Sequence, residues 1–313
     1  MNRTIRSLGA ALAATAALSV ITLAATNTTA ASAATTSASM QAAPSIGLPH
    51  VNDTWGGYLS EAPKGKTLND VGAQWTVPTA TLKGRVGPKP YEATMWVGLD
   101  GYNTALGPEQ AGLWMDTDTP GGKPEYWMFW EMAPANPVAF TTDGKPLAAD
   151  DHNLLKVKPG THIAATVQYV DQPGFKWNHQ FEFDVYVPGP QGYDLVYSAF
   201  GNPATVNPGK PVPLRHQAEV ITEIQSRNHH PMGALDLGRV GFDYAQYTVA
   251  GTPGKEPLLA VNQHAIFAQY SYPGTRQGYR IFPGAAVASS PPAIEKGHAL
   301  KDHFTTRITT WGS

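Results

Sequence analysis

Residues 215–226 read "RHQAEVITEIQS", Arg215 to Ser226. Val220, Ile221, Thr222 and Ile224 are β-branched, and neither glycine nor proline interrupts them, so the stretch reads as a β-strand. Strand side chains alternate between faces. Val220, Thr222 and Ile224 therefore share one face, and Glu219, Ile221 and Glu223 share the other. If the carboxylate face meets solvent the pattern is ordinary; if it lines a cleft, Glu219 and Glu223 are candidates for the chemistry.

The neighbouring sequence repeats the pattern. Short alternating runs such as "VGAQWTVP", "EATMWVGLDG", "EYWMFWEMAP", "THIAATVQYV", "HQFEFDVYVP" and "FTTRITTW" are separated by glycine and proline, which number 31 and 27. Convincing helical periodicity is scarce, which excludes a doubly wound α/β fold and predicts an all-β sandwich or barrel. Residues 283–303 read as a surface loop, and "FTTRITTW" reads as a last strand returning into a sheet. In Glu125–Pro134, Trp127, Phe129 and Glu131 point one way and Tyr126, Met128 and Trp130 the other. Both faces are thus aromatic, and one carries a carboxylate. In 95–101, Met95, Val97 and Leu99 make an apolar face opposite Trp96, Gly98 and Asp100. Gly98 reads as a place where a substrate backbone comes close.

The N-terminus is a different kind of sequence. Arg3 and Arg6 precede an apolar run, and Ala31-Ser32-Ala33 offers small residues for cleavage, so residues 1–33 read as a secretory signal peptide. Residues 34–50 read as a linker or short pro-segment, and 51–313 as a single β-sandwich domain. The chain carries 22 Lys+Arg and 24 Asp+Glu. Removing Arg3 and Arg6 leaves 20 against 24, a net charge of about −4 with no basic run, which argues against nucleic-acid binding. There is no cysteine, so a secreted fold must be held by its core rather than by disulfides. No membrane contact is expected after signal removal, and the chain is expected to be a secreted, extracellular monomer. The scattered histidines show no metal-ligand spacing. Gly-X-Ser-X-Gly, His-Glu-X-X-His and the paired aspartate motifs are all missing. No metal or cofactor is expected.

Six segments carry a resemblance. "TWGGY" (54–58), "WVGLDG" (96–101), "EQAG" (109–112), "YWMFWEMAP" (126–134), "VKPGTHIAATV" (157–167) and "AEVITEI" (218–224) stand in the order and spacing of the glutamic peptidases, or eqolisins. The resemblance implies a concanavalin/lectin-like sandwich of two bent antiparallel sheets with the active site on the concave sheet. It implies an acid endopeptidase acting on polypeptides, with Gln110 and Glu223 as the catalytic pair. Asp100 and Glu131 fall on the family's groove positions, with Trp55, Trp96, Trp127 and Glu219 as supporting or substrate-binding residues. The sequence departs from the family in lacking disulfides, in Thr54 where the family has asparagine, and in its last sixty or so residues.

The chemistry is coherent in its own terms. Peptide hydrolysis needs an activated water, a stabilised oxyanion and a proton for the leaving amine. A glutamate can take and return the proton. A glutamine amide can accept from water and donate to the oxyanion. With an ordinary glutamate pKa of about 4.3, acid operation is expected. Two other readings of a carboxylate-bearing aromatic groove stand beside this one. They are a glycosidase using Glu131 and Glu223, and a carbohydrate-binding sandwich. Neither requires Gln110.

Overall fold

Alternation dictates the architecture. In a computed structural model, Met95, Val97, Leu99, Ala111, Leu113, Met115, Met128 and Val220 turn to one side of their sheet. There they meet Val71, Trp75, Val167, Phe181, Phe183 and Phe242 from another sheet in one continuous core. Fully burying each such side chain contributes about 1.5–3 kcal/mol, and this core holds a chain without disulfides. The structure describes residues 50–311 except 52–53, 87–89, 103, 105, 118–121, 144–152, 172, 175–178, 191–193, 228–229, 259–262, 272–283, 290–293, 296–297 and 300–303. The expected signal peptide and nearly all of the expected linker lie outside the described residues.

The first sheet runs, neighbour to neighbour, through the start of Gln263–Ser271, then Trp55–Glu61, Gln217–Glu223, Tyr91–Leu99, Glu109–Thr117 and Glu125–Met132. Every one of these pairings is antiparallel. The second runs through Asp194–Gly201, Gln180–Pro188, His162–Val170, Leu68–Thr76, Gly238–Val249, Phe304–Trp311 and Gly284–Ser289. It ends on the later part of Gln263–Ser271, the strand that passes from one sheet to the other. Helix among the described residues is limited to Pro203–Val206.

The all-β sandwich expected from the sequence is therefore the fold, and Phe304–Trp311 does return between two strands. The reading of 283–303 as a loop needs correction, because Gly284–Ser289 is a paired strand of the second sheet. Among the described residues, no helix is long and apolar enough to cross a membrane.

The first sheet's outer face is not an ordinary wet surface. Trp55, Leu59, Trp96, Tyr102, Phe129 and Ile221 form a second buried cluster there, with Trp114 and Trp127 packed against it. Gly112 makes this possible. A Cβ on it would lie 2.1 Å from the Met95 carbonyl oxygen and 2.7 Å from the Trp96 Cα, so no side chain fits where Trp96 crosses.

Candidate active site

The strand register fixes which residues meet on the outer face. Leu59, Glu219, Gly98, Gln110 and Glu131 lie side by side in one row across five strands. Two residues along come Gly57, Ile221, Trp96, Gly112 and Phe129, and then Trp55, Glu223, Thr94, Trp114 and Trp127. Six of the eight residues singled out in the sequence thus have their side chains in two rows of one sheet face, and Trp96 lies in the row between.

Glu223 is held from several sides. The Trp96 indole N–H donates to its Oε2 at 2.9 Å and the Thr54 hydroxyl to its Oε1 at 3.4 Å. Trp55 and Gln225 also hydrogen-bond to it. Trp55 packs edge-on against Trp96, their centroids 4.9 Å apart. Burial pushes the Glu223 carboxyl up to about 7, although the Trp96, Trp55 and Thr54 donors pull it down. Glu223 keeps 8% of its surface exposed, whereas Trp96 has none. Trp96 therefore serves as a donor to Glu223 rather than as a platform for substrate. Gly98 needs a similar correction, since a Cβ there would meet the Trp96 ring at 3.0 Å. Its missing side chain makes room for the indole.

Gln110 donates its amide N–H to Glu131 Oε2 at 2.7 Å. Its Oε1 is buried with no hydrogen-bond partner. Burial raises the Glu131 carboxyl to about 8, reinforced by the charge of Glu223 and opposed by the Gln110 hydrogen bond. Glu131 is thus hydrogen-bonded to the Gln110 amide and also feels the charge of Glu223. Trp127 stacks on Trp114 at 5.2 Å beside it.

Glu219 and Asp100 are turned elsewhere. Glu219 is fully buried, and its Oε1 accepts from the Tyr102 backbone N–H at 2.9 Å. Burial drives its carboxyl well above the ordinary range. Asp100 has a positive φ of 59°. Its carboxylate accepts from the backbone N–H groups of Arg215, His216 and Gln217 at 2.5, 2.7 and 3.2 Å. Asp100 therefore clamps the segment entering the Glu219 strand and does not join Gln110 and Glu131. Among the described residues, no cluster of three histidine, aspartate or glutamate side chains could hold a metal ion.

Thr54, Gln225 and Thr94 are site residues that the motif reading missed. Gln225 donates to the Thr94 hydroxyl at 2.8 Å. It stands two residues beyond Glu223, and strand parity alone would have flagged it. Thr54 occupies the position where the family has asparagine, and it supplies a donor there.

The Peptidase A4 family model matches residues 53–176. No curated protein matches the sequence. Among solved structures, scytalido-glutamic peptidase with a transition state analog inhibitor is similar at 15% identity and a TM-score of 0.49. That similarity covers 82% of this chain and 98% of the other. Aspergilloglutamic peptidase from Aspergillus niger is similar at 17% identity and a TM-score of 0.37, over 70% and 99% of the two chains.

Proposed function

We propose a secreted, monomeric endopeptidase of the glutamic type that works with Gln110 and Glu223, a reading supported by the Peptidase A4 family model that matches residues 53–176. The observation that carries the reading is the Gln110–Glu131 hydrogen bond on an aromatic sheet face, with Glu131 within electrostatic reach of Glu223. The peptidase family and the engaged glutamine both speak against the glycosidase and carbohydrate-binding readings, which leave that amide idle.

The steps follow from what each group can donate and accept. One Gln110 N–H is committed to Glu131, which leaves its second N–H and the unpartnered Oε1. Oε1 accepts from the attacking water. The Glu223 carboxylate removes the water proton as the water oxygen bonds to the peptide carbonyl carbon. The second Gln110 N–H donates to the oxyanion that forms. Protonated Glu223 then gives its proton to the amine nitrogen as the C–N bond breaks, returning the carboxylate. Glu131 orients the amide.

A second reading has an observation in its favour. Glu219 shares Gln110's row, with only Gly98 between them, whereas Glu223 lies four residues further along its strand, about 13 Å by strand rise. In that reading Glu219 is the base. Its complete burial and its bond to Tyr102 N–H favour Glu223 instead.

The test is turnover of a denatured protein by the purified chain. Cleavage is expected to survive chelators, thiol reagents and serine-directed reagents. Gln110→Glu replaces the oxyanion donor with a second carboxyl and should lose about 10²–10³-fold in turnover while remaining folded. Gln110→Glu at wild-type turnover would refute the role of the amide.

A further inference from the structure

Alternation turns Glu109, the first residue of Glu109–Thr117, to the sheet face opposite Gln110. It lies in the wall of a cavity of about 100 Å³ that neither Gln110 nor Glu223 lines. The other walls are mostly apolar, built by Leu106 and by Pro211, Val212, Pro213 and Leu214. Glu109 is fully buried, and no other residue is seen to hydrogen-bond either carboxyl oxygen. Leaving a buried polar group unsatisfied costs about 1–3 kcal/mol, and more for a charged one. Native proteins keep few such groups. Asp100 also lines the cavity, but its carboxylate is committed to the three backbone N–H groups that it clamps.

The segment over this carboxyl is held at its ends. Asn207 Nδ2 donates to the Met132 and Ala133 carbonyls at 3.0 and 3.2 Å, and the Arg215 carbonyl accepts from the Leu68 N–H at 2.8 Å. Between these ties Pro211 and Pro213 have no N–H to offer, and Val212 and Leu214 are 64% and 60% exposed. An apolar strap with room to shift thus covers a carboxyl that lacks a donor.

One kind of guest suits both features. An uncharged apolar guest would fill the cavity and leave Glu109 without a donor. An anion would meet the carboxyls of Glu109 and Asp100. Among the described residues, no group of three histidine, aspartate or glutamate side chains could hold a metal ion. The described lining residues include no lysine, arginine or histidine. Lys210, just before the strap, is exposed, and Arg215, just after it, lies over the Tyr169 ring at 3.8 Å. An alkylammonium ion brings what is missing, because its stem lies along apolar surface while its head donates charge-assisted hydrogen bonds to a carboxylate.

We propose that this cavity is a binding site for an alkylammonium group, with Glu109 taking the charge and Leu106 and the 211–214 strap the stem. Such a group comes from a lysine side chain of a bound polypeptide or from a free alkylamine. The site does not depend on the peptidase reading.

The experiment titrates n-butylammonium, the lysine side chain on its own, into the full chain at about pH 7, with 1-butanol as the neutral control of the same stem. Binding is read from the backbone amide resonances of Leu106, Val212 and Leu214. n-Butylammonium should bind at least about tenfold more tightly than 1-butanol. Glu109→Gln and Glu109→Leu should each bring that ratio close to one. In peptides bound to Glu223→Gln, a preference for lysine over norleucine that Glu109→Leu removes identifies a lysine side chain as the guest. A response to n-butylammonium without that preference identifies a free amine at the same site. n-Butylammonium binding no more tightly than 1-butanol overturns the proposal, as does an undiminished ratio in Glu109→Leu.

Discussion

At the scale of single residues, the site is organised by who donates to Glu223. The Trp96 N–H stabilises the charged carboxylate, so Trp96→Phe keeps an aromatic ring but lets the Glu223 pKa rise further. Hydrogen bonds to charged groups are worth about 1.5–3 kcal/mol. The variant should therefore lose about tenfold or more in kcat/KM at fixed pH, with the acid limb of its pH profile displaced upward. With Glu223 as the proposed base, that limb in the wild type reports its ionisation in the free enzyme. It is expected well above the ordinary glutamate value of about 4.3, because burial raises the group to about 7. A limb at the ordinary value would show that the carboxylate is not buried as described. Sequence could name Glu223 through a motif, but the burial that sets its proton affinity comes from Trp55, Trp96 and the neighbouring strands. Those contacts are separated by more than a hundred residues along the chain.

At the scale of elements, strand parity carried most of the reading. Alternation in Gln217–Glu223 and Glu125–Met132 assigned every side chain to its correct face, since a period of two leaves only one choice once the core face is known. Register was not legible in this way. That Gln110 pairs across to Glu131 and Gly98, and so shares a row with Glu219, depends on how separate strands slide against one another. Gly284–Ser289 was missed for a related reason. Apart from Val287, its glycine, three alanines and one serine have little intrinsic strand preference, and it is ordered by pairing on both edges. Gly112 tests the packing of these elements. In Gly112→Ala the new methyl would strike the backbone of Met95 and Trp96, which cannot turn aside. Destabilisation at or above the upper end of about 1–3 kcal/mol is expected, read as a fall in Tm. An unchanged Tm would mean that the two strands are further apart than the register implies.

At the scale of the whole molecule, the buried carboxyls make stability depend on pH in an uncommon direction. Glu109 and Glu219 are raised well above the ordinary range, and Glu131, Glu182 and Glu223 to about 8, 7 and 7, chiefly by burial. Above about pH 4.3 the unfolded chain releases these protons, while the folded chain keeps them until about pH 7–8. Folded protein then binds more protons than unfolded, so stability falls as pH rises through this window. Tm should be highest near pH 4 and decline toward pH 8. Glu109 contributes through a fully buried carboxyl that no other residue is seen to hydrogen-bond. Glu109→Leu should add about 1–3 kcal/mol at pH 7 and less at pH 4. A Tm that climbs from pH 4 to 8 would contradict this account of the burial. Whether the molecule as a whole is a Gln/Glu peptidase is decided most directly by one comparison, the turnover of Glu223→Gln and Glu219→Gln on the same peptide, each variant checked for folding. Glu223→Gln is expected to lose about 10²–10⁴-fold, with Glu219→Gln keeping far more activity. Near wild-type turnover in Glu223→Gln would contradict the account, and if Glu219→Gln were then the inactive one, the base would be Glu219.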